Sequence, residues 1–278
     1  MLNENDKSST VIPENAEELD TFNLSAVGAA TSVAATGPYY THPISNVHPY
    51  GNDNVDSLLV GTKWQDGSDK PAALTYSFGG NNSRYDDDYY DPFSGRSEYE
   101  PGSQAFSPDQ QNATRKALGL WEAVAKVTFS EVQDSANVAG DLRFARSDFA
   151  PPAHAYVPFL SPKAGDVWFS NDPSLDDVSK RSYGFATTIH EIGHALGLDH
   201  PHDDPEYPGD VPASRDADWL GYSVMSYRSF EGALLSHEGG PGYTTDRFPT
   251  TPMLNDIRAI QHIYGANTKF NAGNTPYC

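Results

Sequence analysis

Three of the nine histidines in this chain lie in the stretch HEIGHALGLDH, which runs from His190 to His200. His190 and His194 are four residues apart, so on a helix both imidazoles leave the same face about one turn apart. Two such nitrogens can reach one zinc ion at about 2.0–2.1 Å. Glu191 would lie about 100° around the helix, beside the ion but not bound to it. This spacing predicts a metal site with a carboxylate at its open side.

The third ligand depends on how the helix ends. Gly197 predicts the end, because glycine readily takes the left-handed conformation that closes many helices. A sharp turn there would bring His200 back to the same ion and give three nitrogens with one free face, as in catalytic zinc sites. His202 is an alternative third ligand. The distance from Gly197 favours His200, which completes the pattern His190-Glu191-x-x-His194-x-x-Gly197-x-x-His200.

Helix and strand patterns alternate around this motif. One helix is predicted over residues 184–198, one after the Ser107 N-cap and one over residues 251–265. Strand patterns occupy residues 73–80, 127–132, 141–147, 154–159 and 166–170. They predict a mixed α/β domain over residues 51–265. Residues 1–50, rich in Ser, Thr, Ala and Asn, are predicted to be a flexible leader or pro-segment, and residues 266–278 the start of a linker.

Composition narrows the classes of partner. The formal net charge of the 278 residues is −20, which disfavours nucleic acid and anionic membranes as partners. No stretch approaches the 18 apolar residues of a membrane span. The single cysteine, Cys278, permits no intrachain disulfide, and the first residues lack the basic and apolar regions of a signal peptide.

A second motif lies about 25 residues after His200, where SVMSY contains Met225 and Tyr227. With the extended histidine motif it resembles the metzincin zinc endopeptidases, whose active site is supported by a methionine-containing turn, the Met-turn. The resemblance implies an α/β (α+β) domain with a twisted mixed sheet, an active-site helix and a Met-turn. It also implies that Met225 packs beneath the zinc-bound histidines.

Within the metzincins, the chain resembles the serralysins, a secreted, calcium-dependent bacterial branch. The resemblance rests on Pro201, on SVMSY and on TPMLNDIRAIQHIYGAN, and covers the chain from about Leu74 to the end. Matrixins often block zinc with an N-terminal cysteine, and astacins have glutamate where Pro201 stands; neither residue is present. The serralysin pattern implies that Tyr227 is a fifth zinc ligand. It also implies a substrate-binding edge strand at AHAYVP, with Ala153, Ala155 and Tyr156.

One departure from the serralysins concerns the C-terminal end. Their Gly- and Asp-rich calcium-binding repeats, which form a β-roll and end in an export signal, have no counterpart before Cys278. Asn271, Gly273 and Thr275 lie where the family begins a calcium loop. We therefore expect a truncated sequence, calcium binding in the full-length protein, and secretion through a missing C-terminal signal rather than a signal peptide.

These observations predict a secreted, monomeric zinc endopeptidase that acts on proteins or peptides. Zinc would polarise the scissile carbonyl and lower the pKa of a water molecule from about 15.7 towards 7. Glu191 would accept the water proton and pass it to the leaving amine. Tyr227 would donate a hydrogen bond to the oxyanion. Two alternatives stay open: a non-catalytic zinc-binding surface or adhesion module, and a latent precursor with residues 1–50 in its cleft.

Overall fold

The computed structural model describes residues 40–64, 72–85, 97–99, 103–150, 152–202, 211–245 and 247–270. Most of the predicted leader and the three candidate calcium residues lie outside these ranges. Among the described residues, none of the helices is both long and apolar enough to cross a membrane.

A five-stranded mixed sheet forms the centre of the fold. Its strands are β3 (Ala72–Phe78), β4 (Val127–Glu131), β5 (Leu142–Ser147), β6 (Ala153–Ala155) and β7 (Asp166–Ser170), in the spatial order β4-β3-β5-β7-β6. The first four strands are parallel, and β6 pairs antiparallel with β7 at one edge. The strand patterns at residues 73–80, 127–132, 141–147 and 166–170 and the mixed α/β class are therefore confirmed, whereas the pattern at residues 154–159 corresponds to a shorter strand that ends at Ala155.

The central strands β5 and β7 lie largely inside the protein, although β5 includes Arg143 and β7 begins with Asp166. Most residues of β5 and β7 are buried, as expected for parallel strands covered on both faces. The parallel pairing of β3 with β4 also requires a crossover, which the long helix α2 (Pro108–Val124) supplies. Ser107 caps this helix, and its reciprocal bonds with Gln110 form the predicted capping box.

Helix α3 (Tyr183–Ala195) carries the histidine motif and lies almost wholly inside the protein, with buried residues from Gly184 to Ala195. It packs against α2, and the Trp121 indole N–H donates a hydrogen bond of 3.2 Å to the Ile189 carbonyl. Trp121, Ile189 and Ile192 are each fully buried in the main core. The helix that carries the histidine motif is therefore held inside the core.

The chain before the sheet forms a small support behind α3. Strands β1 (Ile44–Asn46) and β2 (Thr62–Trp64) pair antiparallel, and the short helix α1 (Asp53–Asp56) lies between them. β1 thus falls inside the segment interpreted as a leader. The last helix, α4 (Leu254–Tyr264), contacts both α1 and α2. The proposed domain boundaries stay a prediction.

Candidate active site

The motif histidines meet at one point. The Nε2 atom of His194 lies 3.1 Å from that of His190 and 2.9 Å from that of His200, and the third distance, from His200 to His190, is 3.3 Å. Nitrogens bound tetrahedrally at about 2.0–2.1 Å to one zinc ion would be about 3.3–3.4 Å apart. The three side chains are thus arranged as a metal-ligand set. Among the described residues, these three form the one group of three or more His, Cys, Asp or Glu side chains with metal-ligand spacing.

The hydrogen bonds of two histidines fix which nitrogen faces the centre of the cluster. His190 Nδ1 lies 2.9 Å from the Val224 carbonyl, and His194 Nδ1 lies 2.8 Å from the Leu198 carbonyl. A carbonyl can only accept, so both Nδ1 atoms donate, and in the neutral rings both Nε2 atoms carry lone pairs. Those lone pairs repel one another at about 3 Å unless a cation lies between them. This donor set fits a bound metal ion.

Burial keeps these rings neutral. It lowers the pKa of His190 to about 4 and the pKa values of His194 and His200 well below the ordinary value for histidine. A metal ligand must be an unprotonated imidazole. At neutral pH, each of the three rings is therefore in the form that binds metal.

The turn after α3 returns the chain to the metal cluster. Gly197 has a φ of +100°, which is the left-handed conformation expected for it. A Cβ atom at this position would lie 2.6 Å from the Thr62 carbonyl oxygen. Gly197 is therefore required both by the sign of its φ and by the close approach of a neighbouring strand.

Thr62 begins β2, and we call residues 58–62, which lead into that strand, the N-terminal strap. The Asp199 amide donates to the Leu58 carbonyl at 3.1 Å, and the Val60 amide donates to the Gly197 carbonyl at 3.3 Å. Leu59 also forms an isolated β-bridge with Leu198. The strap thus holds the segment that leads into His200, and its residues belong to no recognised motif.

Met225 lies beneath the histidine pair, where the resemblance places it. It is fully buried, and a Cβ atom on Gly193 would come within 2.6 Å of its sulfur. The adjacent Val224 carbonyl accepts the hydrogen bond from His190. This turn therefore supports α3 from below and also orients one of the ligands.

Asp256 holds the turn in place from α4. Its carboxylate is buried and accepts hydrogen bonds from the Ser223 hydroxyl at 2.6 Å, the Val224 amide at 2.8 Å and the Met253 amide at 2.7 Å. Sequence reasoning missed this residue. Its only sequence signal is its place as an acidic residue in the first turn of a predicted helix.

Arg228 secures the chain that follows Tyr227. Its guanidinium donates to Asp218 at 2.7 Å, to Glu238 at 2.6 Å and to the Ala233 carbonyl at 2.5 Å. The arginine and Asp218 side chains are almost entirely buried. Paired charges of this kind fix the path of a loop that has no regular hydrogen-bond ladder.

Tyr227 places its ring among the ligand histidines. The ring centroids lie 4.4 Å from His200 and 5.8 Å from His190. His202, the alternative third ligand, is outside the set of converging nitrogens. Its ring stacks on His200 at 5.1 Å and lies 4.8 Å from Tyr227. The structure therefore favours His200 in the ligand set and assigns His202 a packing position.

Glu191 has a buried carboxylate with an unused oxygen. Its Oε2 atom is inaccessible to solvent and has no hydrogen-bond partner among the described residues. Burial raises the pKa of this carboxyl group to about 8, and a nearby cation would favour the ionised form. The side chain borders a cavity that His190 and Val224 also line. It is therefore placed beside the metal cluster and not among its ligands.

The predicted edge strand lies next to this cavity. β6 is the last strand of the sheet, pairs on one side with β7 and contacts α3. Ala153 lines the cavity, whereas the Tyr156 hydroxyl donates to Glu98 at 2.8 Å. His154 lies 3.2 Å from the same Glu98 oxygen. Of the three predicted strand residues, Ala153 thus lies on the cavity beside His190, while Ala155 ends β6 and Tyr156 follows it; Asn271, Gly273 and Thr275 lie outside the described residues.

Known proteins resemble this chain in sequence. Residues 99–206 match the Peptidase_M10 family, described as Matrixin. The chain is 33% identical over 284 residues to the metalloprotease AprA of Pseudomonas entomophila. The aligned region covers 90% of this chain and 55% of that protein. The chain belongs to the serralysin-type metzincins. Serralysin A of Dickeya chrysanthemi is 35% identical over 183 residues, which are 63% of this chain and 37% of that protein.

A further member of the group, the serralysin of Proteus mirabilis, is 30% identical over 230 residues, with coverage of 75% of this chain and 43% of that protein. The chain thus spans between 37% and 55% of the length of these relatives. The matched residues contain the histidine motif up to His200, so the family resemblance predicted from the sequence is confirmed.

Proposed function

We propose that this chain is a zinc endopeptidase that hydrolyses peptide bonds of proteins. The observation that carries the proposal is the meeting of three neutral imidazole nitrogens beside the unpartnered, buried carboxylate oxygen of Glu191. His190, His194 and His200 would hold the ion, and Tyr227 would complete the ligand set in the resting enzyme. Zinc in such a site supplies Lewis-acid chemistry and lowers the pKa of a water molecule from about 15.7 towards 7.

Glu191 would act as the general base and then as the general acid. Its Oε2 atom accepts a proton from the attacking water while the water oxygen bonds to the carbonyl carbon. The carboxyl group then gives that proton to the amine nitrogen as the C–N bond breaks. Glu191 lies on the buried helix α3, and its neighbours on that helix are also buried, so its carboxylate does not turn towards bulk water.

Tyr227 and β6 would position the substrate. The Tyr227 ring lies against two ligand histidines, so its hydroxyl can donate a hydrogen bond to the oxyanion that forms next to them. Burial raises the pKa of Tyr227 well above its ordinary value, so the hydroxyl keeps its proton. The free side of β6 would pair with an extended peptide, with Ala153, Ala155 and Tyr156 alongside it.

Two further features are proposed from the family alone. Serralysin-type proteins are expected to bind calcium and to be secreted, and both properties would depend on sequence outside the described residues. We expect the catalytic unit to act as a monomer. The roles proposed for His190, His194, His200 and Glu191 do not involve calcium.

The test compares wild type with Glu191→Gln, which is matched in size and does not alter the three histidines. We expect one zinc per chain in both proteins, and casein hydrolysis in the wild type alone, reduced at least about 10³-fold in the variant. A zinc-loaded Glu191→Gln protein that hydrolyses casein at the wild-type rate would contradict the role of Glu191. Zinc without hydrolysis in either protein would favour the non-catalytic binding module.

A further inference from the structure

The cavity beside Glu191 has two unlike walls. Its lining residues come mainly from α3, from Val224 beside Met225, and from the chain that follows. Tyr183, Thr187 and Glu191 are spaced four residues apart on α3, so they form one stripe along the helix and make a polar wall. The other lining residues outside α3 include the apolar and aromatic side chains of Leu220, Val224, Tyr243 and Phe248.

The Tyr183 hydroxyl is an unused hydrogen-bonding group in this cavity. Its oxygen is buried and has no hydrogen-bond partner of ordinary geometry among the described residues, although the nearby Thr187 hydroxyl partly offsets the rise in the Tyr183 pKa that burial causes. The ring is held by Phe248 at 5.4 Å and Tyr243 at 6.0 Å between centroids. Buried hydroxyls without a partner are rare, because each loses its hydrogen bonds to water. A ligand that supplied the missing partner would bind preferentially here.

The neighbouring Tyr243 provides an internal contrast. It lines the same cavity, but its hydroxyl donates a hydrogen bond of 3.1 Å to the Ser226 carbonyl. The two tyrosines therefore differ in one respect that matters for recognition: one hydroxyl is already used to hold the Met-turn, and the other is free to meet a ligand.

The charges around the cavity limit the class of side chain that it can accept. Among the described lining residues there is no Lys or Arg, and Glu191 would repel an acidic group. A basic group would pair with Glu191 and occupy the carboxylate that the proposed reaction needs. A neutral side chain that ends in a hydroxyl or carboxamide satisfies the Tyr183 oxygen without either conflict.

We infer that Tyr183 is a specificity-determining residue, which makes this cavity select a neutral hydrogen-bonding side chain (Ser, Thr, Asn or Gln) next to the scissile bond. His190 and Ala153 both line the cavity, so a peptide that lies along β6 would direct one side chain into it. This inference rests on the proposed function, which supplies the peptide substrate. It adds that Tyr183 determines the preference and that the preferred side chains are neutral hydrogen-bonding ones.

The experiment uses zinc-loaded protein and a hexapeptide taken from a mapped casein cleavage site. Each residue flanking the cleaved bond is set in turn to Thr, Val, Asn or Leu, because Thr and Val have nearly the same shape. At one of the two positions, we expect kcat/KM for Thr to exceed that for Val by about 5- to 100-fold. Tyr183→Phe should bring that ratio to within about threefold of 1, whereas the control Tyr243→Phe should leave it unchanged.

Binding separates this inference from the proposed function. The same peptides are titrated by calorimetry into zinc-loaded Glu191→Gln protein, with and without Tyr183→Phe. A tighter Kd for Thr than for Val that disappears with Tyr183→Phe supports the inference, even if the wild type cleaves no peptide and the proposed function fails. Equal values for Thr and Val in both assays, a preference unaffected by Tyr183→Phe, or binding of neither peptide overturns it.

Discussion

Two differently built regions meet at the metal cluster. His190 and His194 project from α3, a capped helix inside the core, and their relative position follows from helical geometry. His200 and Tyr227 instead belong to irregular segments, which are held by the N-terminal strap, by Asp256 and by Arg228. We call His190 and His194 the helix half of the site, and His200 and Tyr227 the loop half. The geometry of the helix half is set by residues close together in the sequence, whereas the geometry of the loop half depends on partners from distant parts of the chain.

This difference separates local stability from metal geometry. A change at the end of α3 should weaken the helix and leave the imidazoles where they are, because the remaining turns are fixed by packing. A change in a contact that holds the loop half should move a ligand or its partner. We therefore expect the loop half to be the more sensitive region, both for the free energy of unfolding and for zinc affinity.

The largest effect is expected for Asp256→Ala. The change leaves the buried Val224 and Met253 amides without an acceptor, at about 1–3 kcal/mol for each group, so the free energy of unfolding should fall by about 3–5 kcal/mol. Because the Val224 carbonyl orients His190, zinc affinity should fall about 10- to 100-fold. Urea unfolding and competition with a zinc chelator measure the two effects. Asp256→Asn retains an acceptor and should lose less; equal losses would contradict the hydrogen-bond account.

A slightly smaller loss is expected for Gly197→Ala. The added Cβ meets the Thr62 carbonyl at 2.6 Å, and alanine disfavours a φ of +100°, so we expect a loss of about 2–4 kcal/mol. Zinc affinity should again fall about 10-fold or more as His200 moves. The matched control is Gly119→Ala, on an open face of α2, which should stabilise by up to about 1 kcal/mol. Unchanged zinc affinity in Gly197→Ala would argue against the role of the strap.

Low pH should reduce the free energy of unfolding, because protonation of Glu238 weakens its contact with Arg228, which holds the loop half. Hydrogen bonding from Arg228 lowers the pKa of this carboxyl group from 4.5 to about 2. A lowered folded-state pKa means that the stabilisation is complete above about pH 4.5 and is lost as the pH falls towards 2. The wild type should therefore exceed Glu238→Gln by about 1–3 kcal/mol at pH 6, and by clearly less at pH 3. Urea titrations at both pH values measure this; a difference independent of pH would refute it.

The smallest effect belongs to the helix half. Ser182 caps α3 by accepting a hydrogen bond of 3.1 Å from the Phe185 amide, so Ser182→Ala should lower the free energy of unfolding by about 1 kcal/mol. Zinc affinity should stay within about twofold of wild type, because His190 lies two turns further along α3. A loss of affinity as large as that of Gly197→Ala would remove the distinction between the two halves.

The same distinction explains what the sequence could predict. The histidine pair, the turn at Gly197 and the capping box of α2 depend on spacings of a few residues, and each could be read locally. The contacts of Leu58 with Asp199 and of Asp256 with Val224 join residues far apart in the chain, and no periodic pattern marks them.

Similar limits apply to the cavity. The sequence pattern predicts the helix next to which Tyr183 lies. The environment of its unpartnered hydroxyl, however, depends on where Tyr243 and Phe248 lie in a loop-rich segment. The positions of Met225 and Tyr227 were expected from the family resemblance and not from the residues alone. Long-range packing, rather than propensity, decides these parts of the site.

The central claim is that both halves supply ligands to a single zinc ion. X-ray absorption at the zinc edge tests it most directly, on wild type and His200→Ala, each loaded with one equivalent of zinc. We predict one bound zinc in the wild type, with three imidazole nitrogens at about 2.0–2.1 Å, and two imidazoles in the variant. The same imidazole count in both proteins, or no zinc bound to the wild type, would contradict the account.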